Sequence, residues 1–204
     1  MILSKKEWSV LGLFTATLPL FIIAFIVQNN YEFMGYVVVT LALFGLLLYS
    51  HKYVQYPLYV LWCLLVWAIL HMLGGVEFAP GEVIYTFVIC PIISEPYSIL
   101  KYDQVVHAYG FFVATLVMFS VLHRYLVVRF SWTAVGIVLA MAGLGLGALN
   151  EIIEFGMTIT MPRTNVGGYE NTALDLVFNL VGAIAAALFL RWKELKGVKL
   201  INKD

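Results

Sequence analysis

The sequence predicts an all-α fold: a polytopic membrane helix bundle of six transmembrane helices, with an interfacial or re-entrant segment between the third and fourth. Three observations predict it. Of 204 residues, 62% are hydrophobic and 12% charged, against roughly 45–50% apolar and 25% charged in a soluble domain. The mean hydropathy is +0.93, and the apolar residues fall in runs close to the ~20 residues that a bilayer demands. The basic residues, finally, segregate between alternate loops. One integral-membrane domain, 1–204, accounts for the chain.

The first span, 8–27, follows Lys5 and Lys6. Basic residues before an apolar run also describe a signal peptide, but the run is long and no small-x-small site follows it, so it reads as an uncleaved span. A short polar turn, 28–32, leads to the second span, 33–50. Pro57 is suited to a helix start and opens the third, 57–73, which Gly74-Gly75 breaks. The connection to Lys101 carries an apolar run, 83–93, interrupted at Pro91 and too short to cross; runs of that size lie at the interface or re-enter. The fourth span is 102–122, the fifth 132–155 and the sixth 172–192, ahead of a basic tail. Cys63 and Cys90 form neither a disulfide framework nor a CxxC metal pattern.

With six spans, both termini share a side. Of 12 lysines and arginines, only Lys101 and Arg163 fall on the other side. By the positive-inside tendency both termini are cytoplasmic, in the cell's inner (cytoplasmic) membrane. The basic tail serves topology and lipid headgroups, not nucleic acid.

Carboxylates within spans are costly and mark functional sites. Glu151 and Glu154 end the fifth span on one helical face, which continues back through Gly147, Gly143, Ala140 and Gly136. On the fourth, Asp103, His107, Gly110 and Ala114 share a face, and on the sixth Asp175, Asn179, Gly182 and Ala186 do so. Each stripe has a polar outer end and a small-residue tail of the kind that lets membrane helices approach. Three such stripes predict three walls of a cavity opening outward. His71 supplies a fourth wall, and Arg163 sits in the loop near the mouth. There are plainer readings. Asp175 follows Thr172 by three, a capping-box spacing, and Asp103 suits the dipole of a first turn. The two glutamates can form a packing network with Arg163 and His107.

These residues carry a resemblance. Tyr102-Asp103-Gln104-Val105-Val106-His107, the Glu151/Glu154 pair, and Arg163 followed by Asp175-xxx-Asn179-xx-Gly182 resemble the VanZ-like membrane proteins. Leu70-His71-x-x-Gly74-Gly75 upstream resembles the YjdF-like inner-membrane family, of unassigned function. VanZ-like proteins often have Glu-xx-Gln where this chain has two glutamates, so the YjdF-like side is the nearer. The resemblance implies the cell envelope and no reaction.

Two function classes follow. In the first, His107, Glu151, Glu154 and Asp103 are catalytic acid–base groups acting on a lipid or lipid-linked envelope precursor, by hydrolysis or group transfer. His71, Arg163, Asp175 and Asn179 then bind the ligand, with Arg163 on an anionic headgroup. In the second, the same acids bind or transport a small cationic or amphiphilic ligand without chemistry. A polar path to the cytoplasmic side, which a transporter needs, is missing from the inner halves of spans four to six. A divalent metal is compatible with the set, with His71, Asp103, His107, Glu154 and Asp175 as candidate ligands. The Glu-xx-His pairs of di-iron bundles and HExxH are absent. The topology is tested by Glu170→Cys in a chain lacking Cys63 and Cys90: an impermeant thiol reagent should label it from outside the cell, and labelling from the cytoplasm alone would overturn the orientation.

Overall fold

The computed structural model describes residues 3–94, 97–126, 130–161 and 164–196. Six α-helices carry the fold: α1 Lys5–Val27, α2 Tyr31–Val54, α3 Leu58–Gly74, α4 Tyr102–Leu122, α5 Trp132–Thr160 and α6 Tyr169–Leu195. Five of them, α1, α2, α4, α5 and α6, are long and apolar enough to cross a membrane. α3 has 17 residues, about 26 Å of helix, fixed between Pro57 at its N-cap and Gly75 at its C-cap. α4 coincides with its expected span, whereas α1, α2, α5 and α6 overrun theirs, α2 and α6 most of all, because their polar ends continue the hydrogen-bonded ladder past the apolar run.

The ends have local causes. Ser4 and Glu7 form a capping box on α1. Asn30 caps α2 through the Phe33 amide, which draws Glu32 into the helix. α6 starts at Tyr169, a full turn before the sequence suggests, so Thr172 is not a cap and Asp175 lies in the second turn.

The connection between α3 and α4 holds strand structure that a purely helical reading missed. Strands β1 Glu77–Ala79 and β2 Glu82–Val83 pair antiparallel. Pro80-Gly81 turns between them, with Gly81 at φ +76°, a backbone region in which glycine alone is unstrained. A 3-10 turn, Ile84–Thr86, follows. β3 Val88–Ile93 then pairs antiparallel with β4 Ile99–Lys101. The apolar run 83–93 is therefore divided among three short elements. Its β-branched residues favour pleated pairing, and Pro91 sits in a two-stranded ribbon where one edge needs no donor. Glu95 and Pro96, also in this connection, lie outside the described residues.

α4, α5 and α6 form the centre, with α4 packed most extensively on α6. A methyl group on Gly182 would collide with the Ala108 carbonyl oxygen, so only glycine permits this crossing. α3 packs on α4 and α1 on α3, whereas α2 touches α3 sparingly. Phe14 and Phe44 stack, with ring centroids 3.9 Å apart, and hold α2 to α1. At the far end, Arg124 Nε and Nη2 donate to the Val54 carbonyl at 3.1 and 3.0 Å, closing the C-terminus of α2. The sparse α2–α3 contact leaves a gap along α2.

Gly182→Val should lower the unfolding free energy by about 1–3 kcal/mol or more, the cost of overpacking, measured by reversible unfolding in detergent. Gly12→Ala, where nothing lies within 4 Å of an added methyl, should not destabilise.

Candidate functional site

The N-terminal turns of α4 and α6 and the C-terminal half of α5 meet at one end of the bundle. Asp103 and His107 stand one helical turn apart on α4, with His107 Nε2 3.3 Å from Asp103 Oδ1. The close α4–α6 crossing brings Asn179 Oδ1 to 2.9 Å from His107 Nδ1. An amide oxygen only accepts, so Nδ1 carries the hydrogen and Nε2 faces Asp103. α5 closes in across Gly147, where a methyl would press on the Asn179 side chain. It places Glu151 Oε1 3.9 Å from His107 Nδ1.

The neighbours are amides. Asn150 Nδ2 donates to Glu154 Oε1 at 2.7 Å, and Asn171 Nδ2 donates to Asp175 Oδ2 at 2.6 Å. Asp175 and Asn179 are 0% exposed, His107 7% and Glu151 9%. Glu151 Oε1, Asp175 Oδ1 and Asn179 Nδ2 are buried without a hydrogen-bond partner. One donor atom each from Asp103, His107 and Asp175 lies within 4.8 Å of the others, and the same holds for His107, Glu151 and Glu154.

A cavity of about 480 Å³ runs along the gap beside α2. Glu32, His71, Tyr85, Asp103, His107 and Glu154 line its polar end. Thr40, Leu43, Leu47, Phe111, Ala114 and Val117 line the stretch toward Ser50 and Tyr56. Its length follows α2 from Glu32 to Ser50, about 27 Å of helix. Glu151, Asp175 and Asn179 are not at its surface and stand behind His107. His71 stacks on Trp67, with centroids 5.4 Å apart, and its Nδ1 is hydrogen-bonded to the Tyr85 hydroxyl. Burial pushes the Tyr85 phenol well up, and the Asp103 and Glu154 carboxylates add to it, so it stays protonated and can donate.

The structure thus gathers Asp103, His107, Glu151, Glu154, Asp175 and Asn179. His71 lines the same cavity but belongs to neither donor group. Arg163 lies outside the described residues. Asp103 occupies the first turn of α4 as a cap reading expects, and it also pairs with His107. Sequence reasoning missed Glu32, whose Oε2 accepts from the Asn165 backbone amide at 2.7 Å and from Asn165 Nδ2 at 3.0 Å. It missed Tyr85 as well, and it missed Asn150 and Asn171 as carboxylate partners. For the two asparagines the signal was present: each precedes its acid by four residues, one helical turn. Glu32 was hidden by assignment to a polar turn, although Asn30 two residues earlier is a good N-cap.

These features define a multi-helix membrane protein with a buried carboxylate–imidazole cluster. Residues 9–195 match the family described as "Predicted membrane protein (DUF2238)", and the chain belongs to that family. The description states membrane residence, no reaction, and neither the YjdF nor the VanZ name. No curated protein and no solved structure matches the chain.

Glu32→Ala should free the segment 164–168, seen as faster hydrogen exchange at the Asn165 amide. Unchanged exchange would contradict the Glu32–Asn165 tie.

Proposed function

We propose that this protein takes a lipid or lipid-linked cell-envelope precursor into the cavity beside α2 and acts on its head group by hydrolysis or group transfer. The observation that carries the reading is the continuity of one cavity, with carboxylates and imidazole at one end and hydrocarbon side chains along the rest. An amphiphile has that same division. The basic-residue pattern supports placing the polar end at the outer leaflet and both termini in the cytoplasm of the inner membrane. The strands between α3 and α4 fit an interfacial position, since all six residues of β3 are exposed and most are apolar. The YjdF-like and VanZ-like resemblance also points to the envelope.

In hydrolysis, a water oxygen attacks the ester centre and Glu154, at the cavity surface, takes its proton. The ester bond breaks, and the leaving oxygen receives a proton from the Asp103–His107 pair. Such positioned proton transfers are worth about 10²–10⁴ in rate.

A second reading, binding of a cationic amphiphile without chemistry, is favoured by the charge at the polar end. Glu32, Asp103 and Glu154 line it, and no lysine or arginine does so among the described residues. A small-ion transport route is less favoured, because the lining toward Ser50 and Tyr56 is apolar.

Mass spectrometry of the detergent-purified chain should find an amphiphile bound, and Ala114→Trp should remove it while the helix content is kept. Retention of the same lipid in Ala114→Trp would reject the cavity reading. Glu154→Gln and His107→Ala should retain the lipid and lose its turnover; turnover at the wild-type rate in both would reject the catalytic reading of these residues.

A further inference from the structure

We propose that His107, Asp103 and Asp175 hold one divalent metal ion in the wall of the cavity. The site is independent of the amphiphile reading: the ion would be bound with or without a lipid present.

The geometry comes first. One donor atom from each residue lies within 4.8 Å of the other two. Donors on one tetrahedral ion at 2.0–2.2 Å stand about 3.3–3.6 Å apart, so closing around an ion draws the most distant pair together by roughly 1 Å. The residues come from two helices whose spacing is fixed by the Gly182–Ala108 contact. The alternative set, His107 with Glu151 and Glu154, would need Nδ1, which faces Glu151. That nitrogen is committed to Asn179.

The second observation is independent of the clustering. Asp175 is 0% exposed. Asn171 holds its Oδ2, while its Oδ1 has no partner. A buried carboxylate oxygen without a hydrogen bond is unfavourable unless a positive charge lies near it. Among the described residues of the cluster His107 alone can carry that charge, and it is shared. Asp103, Glu151, Glu154 and Asp175 gather around a single imidazole, and among the described residues only histidine pairs with any of them.

The third is the state of His107. Its Nδ1–H is held by the Asn179 oxygen, which leaves Nε2 facing Asp103 Oδ1 at 3.3 Å. That gap takes a proton or a metal ion, either of which joins the ring nitrogen to the carboxylate. A histidine anchored through one ring nitrogen and ligating through the other is the usual arrangement in metal sites. Imidazole with carboxylates suits zinc, manganese or ferrous iron. With an ion bound, Asp103 and His107 would be its ligands, the ion would supply Lewis acidity in place of their proton, and Glu154 at the cavity surface would pass the proton taken from water to the leaving oxygen.

The test uses the full chain in detergent, stripped with chelator, dialysed and titrated with Zn²⁺ and Mn²⁺ by calorimetry. About one ion per chain is expected. Asp175→Asn, which keeps the shape, should weaken binding by at least about tenfold, as should His107→Gln, while Glu32→Gln should bind as wild type does. Added metal should raise the unfolding temperature of wild type and not that of Asp175→Asn. Should the buried Asp175 variant fail to fold, Asp103→Asn, on the cavity side, provides the same comparison. No binding of either ion, or equal binding by wild type and the folded aspartate variants, would overturn the proposal and leave protons as the compensating charge. Neither result bears on lipid retention, which Ala114→Trp tests separately.

Discussion

Where α6 crosses α4, the Gly182 backbone faces the Ala108 carbonyl with no room for a methyl group. In a bilayer, helices gain little from excluding lipid, and packing at contact distance must hold them together. This crossing does so, and it also sets the chemistry. Asn179 lies one turn before Gly182 on the same face, so the backbone approach brings its amide to His107 on α4. α5 repeats the device. Gly143 packs against Thr115 and Ala183, and Gly147 packs against Asn179, so Glu151 arrives at the same histidine. The small-residue stripes are packing surfaces, and the polar cluster is their consequence at one end.

The polar end and the apolar wall depend on each other. Buried carboxylates demand amides, imidazole or cations nearby, and Asn150 and Asn171 meet part of that demand. The rest falls on whatever enters. α2 stands away from α3 along much of its length, and this separation leaves the cavity open beside the cluster. Close packing of α2 would have sealed Asp103, His107 and Glu154 from everything except protons. The outer helices therefore govern access, while the inner three fix geometry.

Much of this was legible in the chain. Hydropathy runs and the basic-residue pattern locate the helices, and the i, i+4, i+7 steps on the fourth and sixth helices predict the shared faces that the structure displays. Glu151 and Glu154 stood out because acids near a span's end need company. What escaped reading was local. Glu32 looked like loop because the apolar run begins only at Phe33, whereas the helix starts two residues earlier at Tyr31. The strands between α3 and α4 were hidden in a short apolar run, where strand and buried helix cannot be told apart by periodicity. Asp175 looked like a cap because Thr172 precedes it by three, yet α6 begins a turn earlier at Tyr169. Tyr85 had no signal, since its contact with His71 comes from the path of the connection and not from spacing.

The central claim is that side chains from separate helices share one buried centre around His107. A double-mutant cycle of His107→Gln and Asn179→Ala tests it most directly, read by reversible unfolding in detergent. These residues are 72 positions apart in the chain, so coupling between them reports contact in space. The account predicts an interaction energy of about 0.5–3 kcal/mol. Effects that add to within roughly 0.3 kcal/mol would contradict it and leave the acids and the histidine as unrelated features of the helices that carry them.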